Sequence, residues 1–186
     1  MITIKHKFRD YQINKETETL IIGTFNPDRK GNEADFFYGR KHSFFWPLLA
    51  KAFGESNLKD KVKEEKIEFI RQKKIDFIDL ISEVKINENE IDNIDTYKDK
   101  YLDGKVNDWR KVVDEIEKLD KIKRIGFTRK TFSDIPEMKK RITEIEEYCE
   151  QRKIHFEYLK TPSRGYSIHL QKLWTDFLLT IPDEAL

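Results

Sequence analysis

Polar residues that could take part in catalysis follow an apolar run near residue 20. The stretch "TLIIGTFNPD" (19 to 28) ends in Asn26, Pro27 and Asp28. The amide oxygen of Asn26 can accept a hydrogen bond from a water molecule and orient it, but it cannot take the proton of that water at neutral pH. Asp28 could serve as a true base if the turn directs it inward. Asn-Pro is also a common turn after a strand, so a structural role for Asn26 stays open beside the catalytic one.

A dense aromatic segment, "FFYGRKHSFFWPLL" (36 to 49), comes next. Most of its rings are typical of core packing, because aromatic residues at helical spacing usually face a core. Tyr38 is the aromatic residue that we single out as a candidate ligand contact. Ser43 directly precedes the helical pattern, so it is a candidate N-cap as much as a ligand-reading residue. Arg40 and Lys41 lie in the same loop and could contact phosphates.

A second polar loop, "TPSRGYS" (161 to 167), precedes the helical pattern "IHLQKLW". Its candidate ligand contacts are Thr161, Ser163, Arg164 and Gly165. Ser163 and Ser167 are helix caps by default. The basic residues of both loops are also compatible with simple solvation, since many others are spread along the chain.

The order of predicted elements indicates how these loops meet. Short runs of β-branched and aromatic residues predict four strands, at 19 to 25, 75 to 81, 122 to 128 and 154 to 160. Segments with helical spacing lie between and after them, near 45 to 53, 109 to 119, 136 to 148 and 168 to 178. The charged stretch 59 to 74 is typical of an exposed helix.

Alternation of strands and helices predicts an α/β fold, a three-layer α/β/α sandwich around a four-stranded parallel sheet. Ligands in such sheets bind outside the carboxyl ends of the strands. We therefore expect one rim to carry the four segments that follow the strands: "TFNPD", "SEVK", "TRKTF" and "TPSRGYS".

Composition excludes several classes of function. The 186 residues predict one domain, 1 to 186, and a formal net charge of +1 gives no global attraction to nucleic acid, so a polyanion site must be a local patch. The single cysteine, Cys149, excludes an internal disulfide, and the absence of an apolar leader or long apolar run predicts a cytoplasmic protein without a membrane partner. The sequence has no Walker A motif, dinucleotide fingerprint or nucleophile elbow, and its four histidines have no metal-ligand spacing, so we expect no metal or other cofactor. A monomer is the default expectation because no long heptad seam is present.

The two loops together resemble the uracil-DNA glycosylase superfamily, most of all its mismatch-specific and hypoxanthine-directed branches. The first motif of that family is a G-x-N-P turn after a strand, followed by an aromatic segment and an N-x-F-W helix start. Here Gly23, Asn26, Pro27, Phe45 and Trp46 match it, with one extra residue in "GTFNP". The second motif, H-P-S or N-P-S before a helix with Lys and Trp, resembles "TPSRGYSIHLQKLW" (161 to 174), in which Thr161 stands at the His or Asn position.

This resemblance implies hydrolytic removal of a deaminated base, uracil or hypoxanthine, from DNA without a cofactor. Asn26 would position the water, with Asp28 as a second candidate that could act as a general base. Tyr38 would stack on the extruded nucleobase, and Ser43 would hydrogen-bond its edge. Backbone N–H groups of Thr24 and Phe25 would bond the base. DNA would be contacted by Arg40, Lys41, Thr161, Ser163, Arg164 and Gly165. The alternative is a module of the same fold without efficient catalysis, binding a nucleobase, modified nucleic acid or nucleotide-like small molecule; the extra residue and the missing motif histidine favour that alternative.

Overall fold

The computed structural model describes residues 1 to 162 and 165 to 180. Its strands are β1 Ile2–Lys5, β2 Thr19–Gly23, β3 Ile75–Asp79, β4 Ile81–Ile86, β5 Val106–Trp109, β6 Arg124–Phe127 and β7 His155–Tyr158. Its α-helices are α1 Phe45–Ala52, α2 Lys63–Gln72, α3 Asp99–Leu102, α4 Val112–Ile116, α5 Pro136–Gln151 and α6 Ile168–Leu179. Short 3-10 helices occupy Glu88–Glu90, Ile94–Tyr97 and Asp103–Lys105.

The central sheet has four parallel strands in the order β3-β2-β6-β7. These are the four strands that the sequence predicts, with shorter bounds. Strands β2 and β3 are buried along their whole length, as expected for a parallel sheet covered on both faces. The predicted α/β fold with a four-stranded parallel sheet between helices is therefore confirmed.

Alternate residues of β2 pack into different cores because successive side chains of a strand point to opposite faces. Ile21 packs with residues of α1 and α6, including Trp46 and Trp174. Leu20 and Ile22 pack in the other core, which includes the α5 face. Two helical layers thus enclose the sheet and hold its carboxyl ends in fixed positions.

Local sequence signals set one end of each of three flanking helices, α5, α1 and α6. Pro136 occupies the first turn of α5, where a proline needs no intrahelical N–H bond. Gly54 follows α1 with φ +70°, a left-handed conformation that ends the helix at little steric cost. The Ser167 hydroxyl accepts a hydrogen bond from the Leu170 N–H at 3.0 Å and caps α6, as its position before the helix predicts.

A second sheet was not predicted from the sequence. Strands β1, β4 and β5 form an antiparallel sheet in the order β1-β4-β5. Two expectations are therefore wrong. The "SEVK" segment (82 to 85) lies within β4 instead of a rim loop, and Trp109 ends β5, so the next helix begins only at Val112.

This second sheet brings the N-terminal strand to the edge of the central one. Only Leu80 separates β3 from β4, so the chain passes directly from the central sheet into the antiparallel sheet. Strand β1 pairs with β4, and the His6 N–H that follows β1 donates to the Ser82 carbonyl at 2.8 Å. The side chain of His6 consequently lies beside the carboxyl end of β3.

The charged stretch 59 to 74 does contain a helix, α2, but the helix is not exposed on all sides. It buries Phe69 and Ile70, and it also buries Lys66. The Lys66 ammonium donates to both carboxylate oxygens of Asp35, at 3.0 and 3.1 Å, which compensates the cost of burying the charge. None of the helices in the described part of the chain has the length and apolar character that crossing a membrane requires.

Candidate active site at the carboxyl ends of the parallel strands

Three of the four expected segments meet at the carboxyl rim of the central sheet. Strands β2 and β3 end at Gly23 and Asp79, which are paired in register. The turn at 24 to 28 follows β2, Thr128 follows β6, and the loop that begins at Leu159 follows β7. The two motif-bearing loops are joined directly, since the Phe44 N–H donates to the Pro162 carbonyl at 3.1 Å. Sequence segments that are more than 100 residues apart therefore form one site.

The Asn26 amide is buried and held by a neighbour. Its Oδ1 accepts a hydrogen bond from Asn32 Nδ2 at 2.6 Å. The same Nδ2 donates to the Pro27 carbonyl at 2.6 Å, and the Asn26 carbonyl accepts from the Lys7 N–H. Because an amide oxygen has two lone pairs, Asn32 fixes the orientation of Asn26 and leaves one acceptor site on Oδ1.

Asp28 lies at the outer side of the turn. Its residue is exposed, and its N–H donates to the Lys5 carbonyl at 2.8 Å, which ties the turn to β1. Earlier in the turn, the Thr24 carbonyl accepts from the Ile81 N–H, and the Phe25 ring is buried against His6 with centroids 5.8 Å apart. The side chain of Phe25 thus packs in the core, so its expected contact with a base would have to come from its backbone.

Tyr38 occupies the centre of the rim in a strained backbone conformation. Its φ is +55°, which is uncommon for a residue other than glycine. Its ring stacks on Phe45 with centroids 4.3 Å apart and planes at 23°. Its hydroxyl donates to Thr128 Oγ1 at 3.3 Å, and Thr128 in turn donates to the Ile22 carbonyl. Strained residues of this kind cluster at functional sites, where the surrounding structure holds them in place.

Burial raises the pKa of the Tyr38 hydroxyl, and the negative charges of Asp79 and Asp99 raise it further, against the opposing hydrogen bond with Thr128. Tyr38 is therefore neutral at physiological pH and keeps its proton as a donor. A neutral ring stacked on another ring is suited to contact with a flat, uncharged ligand.

Ser43 and the basic residues of the aromatic loop have different surroundings. Ser43 is buried, and its Oγ accepts from the Phe45 N–H at 3.3 Å, so its hydroxyl supports the start of α1. Arg40 and Lys41 are exposed. Desolvation lowers the pKa of the Arg40 guanidinium, and the positive charge of Arg29 lowers it further. The negative charges of Asp79 and Asp99 act in the opposite direction and raise it. These two negative charges therefore act on Arg40.

The last loop is described only in part. Thr161 is half-buried, Pro162 is buried, and Gly165 has a φ of +118° that favours glycine. Ser163 and Arg164 lie outside the described residues. The contact between Phe44 and Pro162 nonetheless places the start of this loop beside the aromatic loop.

A buried pair that sequence reasoning did not find also faces this rim. His6 Nε2 lies 2.7 Å from Asp79 Oδ2, and both residues are buried. The sequence analysis singled out neither residue as a candidate. The only signal was the presence of two carboxylates, Asp76 and Asp79, in the strand "IDFID" (75 to 79). The partner of Asp79 is 73 positions away, directly after a strand that was not predicted.

A second polar group supports the rim from the side of β6. Arg129 follows Thr128 and forms ion pairs with Asp99 at 2.7 Å and with Asp134 at 2.6 Å. The Arg29 guanidinium, which follows the turn after β2, lies 4.9 Å from the centroid of the Tyr97 ring. These contacts fix the loops that surround Tyr38 and Asp79.

Metal-binding groups and concavities give no second candidate site with comparable polar groups in the described part of the chain. The described residues include no group of three or more His, Cys, Asp or Glu side chains that could hold a metal ion. Two open concavities, of about 360 and 530 Å³, lie along the antiparallel sheet instead of at the rim. We place the site at the rim because the strained tyrosine and the buried His-Asp pair meet there, at the end of the sheet where α/β folds bind ligands.

Comparison with known proteins shows the fold. No protein-family model matches this chain, and no curated protein matches it. The solution NMR structure of a protein described as a "putative Uracil DNA glycosylase from Methanosarcina acetivorans" is similar, with a TM-score of 0.55 and 21% sequence identity. The similarity covers 89% of this chain and 91% of the other. The two chains therefore share a fold over most of their length.

Proposed function

We propose that this protein is a DNA glycosylase that hydrolyses the N-glycosidic bond of a deaminated base, uracil or hypoxanthine, in DNA. The observation that carries the proposal is the junction of the two motif-bearing loops at one rim, through the hydrogen bond from Phe44 to Pro162. The similarity in fold to a structure described as a uracil DNA glycosylase over nine tenths of both chains supports it. Neither the base nor the reaction follows from the fold itself.

Tyr38 would receive the extruded base. An enzyme that acts on a base in a duplex must rotate it out of the stack into a pocket and hold it by stacking and edge contacts. Phe45 covers one face of the Tyr38 ring and fixes its plane. The opposite face would stack on the base, while Ser43 and the backbone at Thr24 and Phe25 would contact its edge.

Asn26 would hold the attacking water. Asn32 orients the amide through one lone pair of Oδ1, and the second lone pair would accept from the water. An amide cannot remove the proton of that water, so the reaction would depend on stabilising the departing base and the positive charge on the sugar. Asp28, exposed on the same turn, is the second candidate, as a general base that would take the proton of the water.

The exposed cations of the rim would position the DNA. Arg40 and Lys41 extend from the aromatic loop next to Tyr38, where phosphates that flank an extruded nucleotide would pass. Thr161, Ser163, Arg164 and Gly165 would also contact the DNA backbone. Since the net charge of the chain is only +1, this local patch would supply the attraction.

The test is a single-turnover assay with protein in excess over labelled oligonucleotides that contain uracil, hypoxanthine or xanthine, both single-stranded and mispaired, followed by alkali. The Asn26→Ala, Asp28→Ala and double variants are compared with Asn107→Ala, an exposed asparagine of β5 far from the rim. We expect cleavage at one lesion, a loss of about 100-fold in the variant that removes the water-holding group, and no change in the control. Retained DNA binding without cleavage of any substrate would overturn the proposal.

One observation favours the alternative, a binding module of the same fold. The amide of Asn26, the first candidate for holding the water, already has a protein partner in Asn32, and the buried Asp79 carboxylate of the rim has one in His6. The affinity for DNA at several salt concentrations separates the two functions. A DNA enzyme gives a clear negative slope of log affinity against log salt, whereas a small-molecule binder gives none.

A further inference from the structure

The hydrogen bonds of His6 define which of its nitrogens carries a proton. The Phe8 N–H donates to His6 Nδ1 at 3.0 Å, so Nδ1 is an acceptor and has no hydrogen. The neutral ring must then carry its proton on Nε2, which donates to Asp79 Oδ2 at 2.7 Å. This arrangement satisfies both ring nitrogens and stabilises Asp79 as a carboxylate, an acceptor with no proton of its own.

The other oxygen of that carboxylate lies at the centre of the rim. A Cβ atom built on Gly23 would lie 2.2 Å from Asp79 Oδ1 and 3.1 Å from the Tyr38 hydroxyl. Oδ1 and the Tyr38 hydroxyl therefore converge above Gly23, whose missing side chain leaves them room. The charge of Asp79 also acts on Arg40 and on Tyr38, which shows that the carboxylate is electrostatically part of the site.

We propose that Asp79 is a specificity-determining residue, whose Oδ1 accepts a hydrogen bond from a ring N–H of the bound base, and that His6 is the positioning residue for it. This inference rests on the proposed function, since it assumes a base stacked on Tyr38. The substrate class that it defines is bases that present a ring N–H donor on the Watson-Crick edge.

The chemistry of deamination explains why such a contact would be selective. Cytosine N3 and adenine N1 are acceptors with a lone pair, and deamination turns them into the N3–H of uracil and the N1–H of hypoxanthine. An ionised carboxylate can only accept, so it attracts the deaminated forms and repels the lone pair of their parents. Thymine and guanine also have the ring N–H. This contact therefore discriminates uracil and hypoxanthine from cytosine and adenine, but not from thymine and guanine.

The role of His6 follows from the buried position of the carboxylate. With its Oδ2 held by His6, the side chain presents one oxygen in a fixed direction. Without the imidazole, the buried carboxylate loses the donor that holds its Oδ2, so the direction of Oδ1 is no longer fixed. This change would weaken the selection of N–H donors without altering the stacking of the base.

The test measures binding separately from cleavage. Oligonucleotides carry the base on a 2′-fluoroarabinose sugar, which resists cleavage, and binding is followed by fluorescence anisotropy. The bases are uracil, N3-methyluracil, cytosine, hypoxanthine, N1-methylhypoxanthine and adenine. We expect the wild-type protein to bind uracil or hypoxanthine at least about tenfold more tightly than the methylated and aminated counterparts. Those counterparts lack the ring N–H and would leave the buried Asp79 Oδ1 without a hydrogen-bond donor.

Variants of Asp79 and His6 test whether these two residues cause the preference for a base with a ring N–H. Asp79→Asn and His6→Ala should each reduce this ratio of affinities to about threefold or less. His6→Gln, whose side-chain amide can donate in place of Nε2, should restore part of the preference. Asp76→Asn is the matched control, because it removes a buried carboxylate from the other end of the same strand and should keep the full preference. If a variant does not fold, the series of bases on the wild-type protein still tests the contact.

The outcomes distinguish this inference from the proposed function. Selective binding without cleavage of ordinary substrates would remove the catalytic function and leave Asp79 as the specificity residue. Cleavage of uracil and N3-methyluracil at equal rates, or full preference in Asp79→Asn, would overturn the inference while the glycosylase function stands.

Discussion

The clearest quantitative prediction concerns Asp76, the buried carboxylate at the start of β3. Burial is the largest influence on it and raises its pKa from 3.8 to about 6, against hydrogen bonds from the Asn14 and Phe77 N–H groups and from Tyr11. The folded state therefore binds more protons than the unfolded state between about pH 4 and pH 6. The stability contributed by this group must then fall as the pH rises through that window.

The rise in pKa corresponds to about 3 kcal/mol, at about 1.4 kcal/mol for each unit of pKa. Asp76→Asn has no carboxyl to titrate, so the difference in unfolding free energy between wild type and variant should change by this amount from about pH 4 to pH 7, in favour of the variant at the higher pH. Urea denaturation followed by circular dichroism at several pH values measures it. A constant difference across this range, or one that favours the wild type as the pH rises, would refute the reasoning.

Three other predictions concern the rim and its supports. Gly23→Ala should remove most activity and cost about 1 to 3 kcal/mol, because its Cβ would displace the Asp79 carboxylate; single-turnover rates and urea denaturation test both parts. Arg40→Gln should reduce the slope of log DNA affinity against log salt by about 1, as expected for one lost phosphate contact, and an unchanged slope would exclude that contact. Asp103→Ala removes the carboxylate that accepts from the Glu137 and Met138 N–H groups at the start of α5, so thermal denaturation should show a loss of about 1 to 2 kcal/mol with unchanged DNA cleavage.

The parallel sheet could be predicted because each of its strands lies in a short run rich in β-branched and aromatic residues, bounded by charged or turn residues. Such runs are a local signal, and alternation with helices limits the topology to a few arrangements. The same local signals located α5 through Pro136 and the start of α6 through Ser167. By contrast, β4 and β5 alternate weakly between buried and exposed residues, and β1 has only one buried residue. Antiparallel pairing among such strands depends on contacts distant in sequence.

The candidate site likewise combines residues that have a local sequence signal with contacts that depend on residues distant in sequence. Tyr38 could be proposed from the sequence because it lies in a loop whose neighbours match a known motif. The stacking of Tyr38 on Phe45 and its reach to Thr128, 90 residues away, are properties of the folded chain. The pairing of His6 with Asp79 depends on the strand order β1-β4 and could not be inferred without it. The partner of Asn26, Asn32, is close in sequence, but nothing in its type distinguishes it from a turn residue.

The measurement that tests the central claim most directly is the release of a free base from DNA. Excess protein is incubated with duplexes containing uracil or hypoxanthine opposite each normal base, and mass spectrometry is used to detect the free base and the abasic strand. We predict that one of these bases is released with formation of an intact abasic strand, and that Asn26→Ala slows the release by about 100-fold. Recovery of every duplex unchanged, by a folded protein that still binds the DNA, would contradict it.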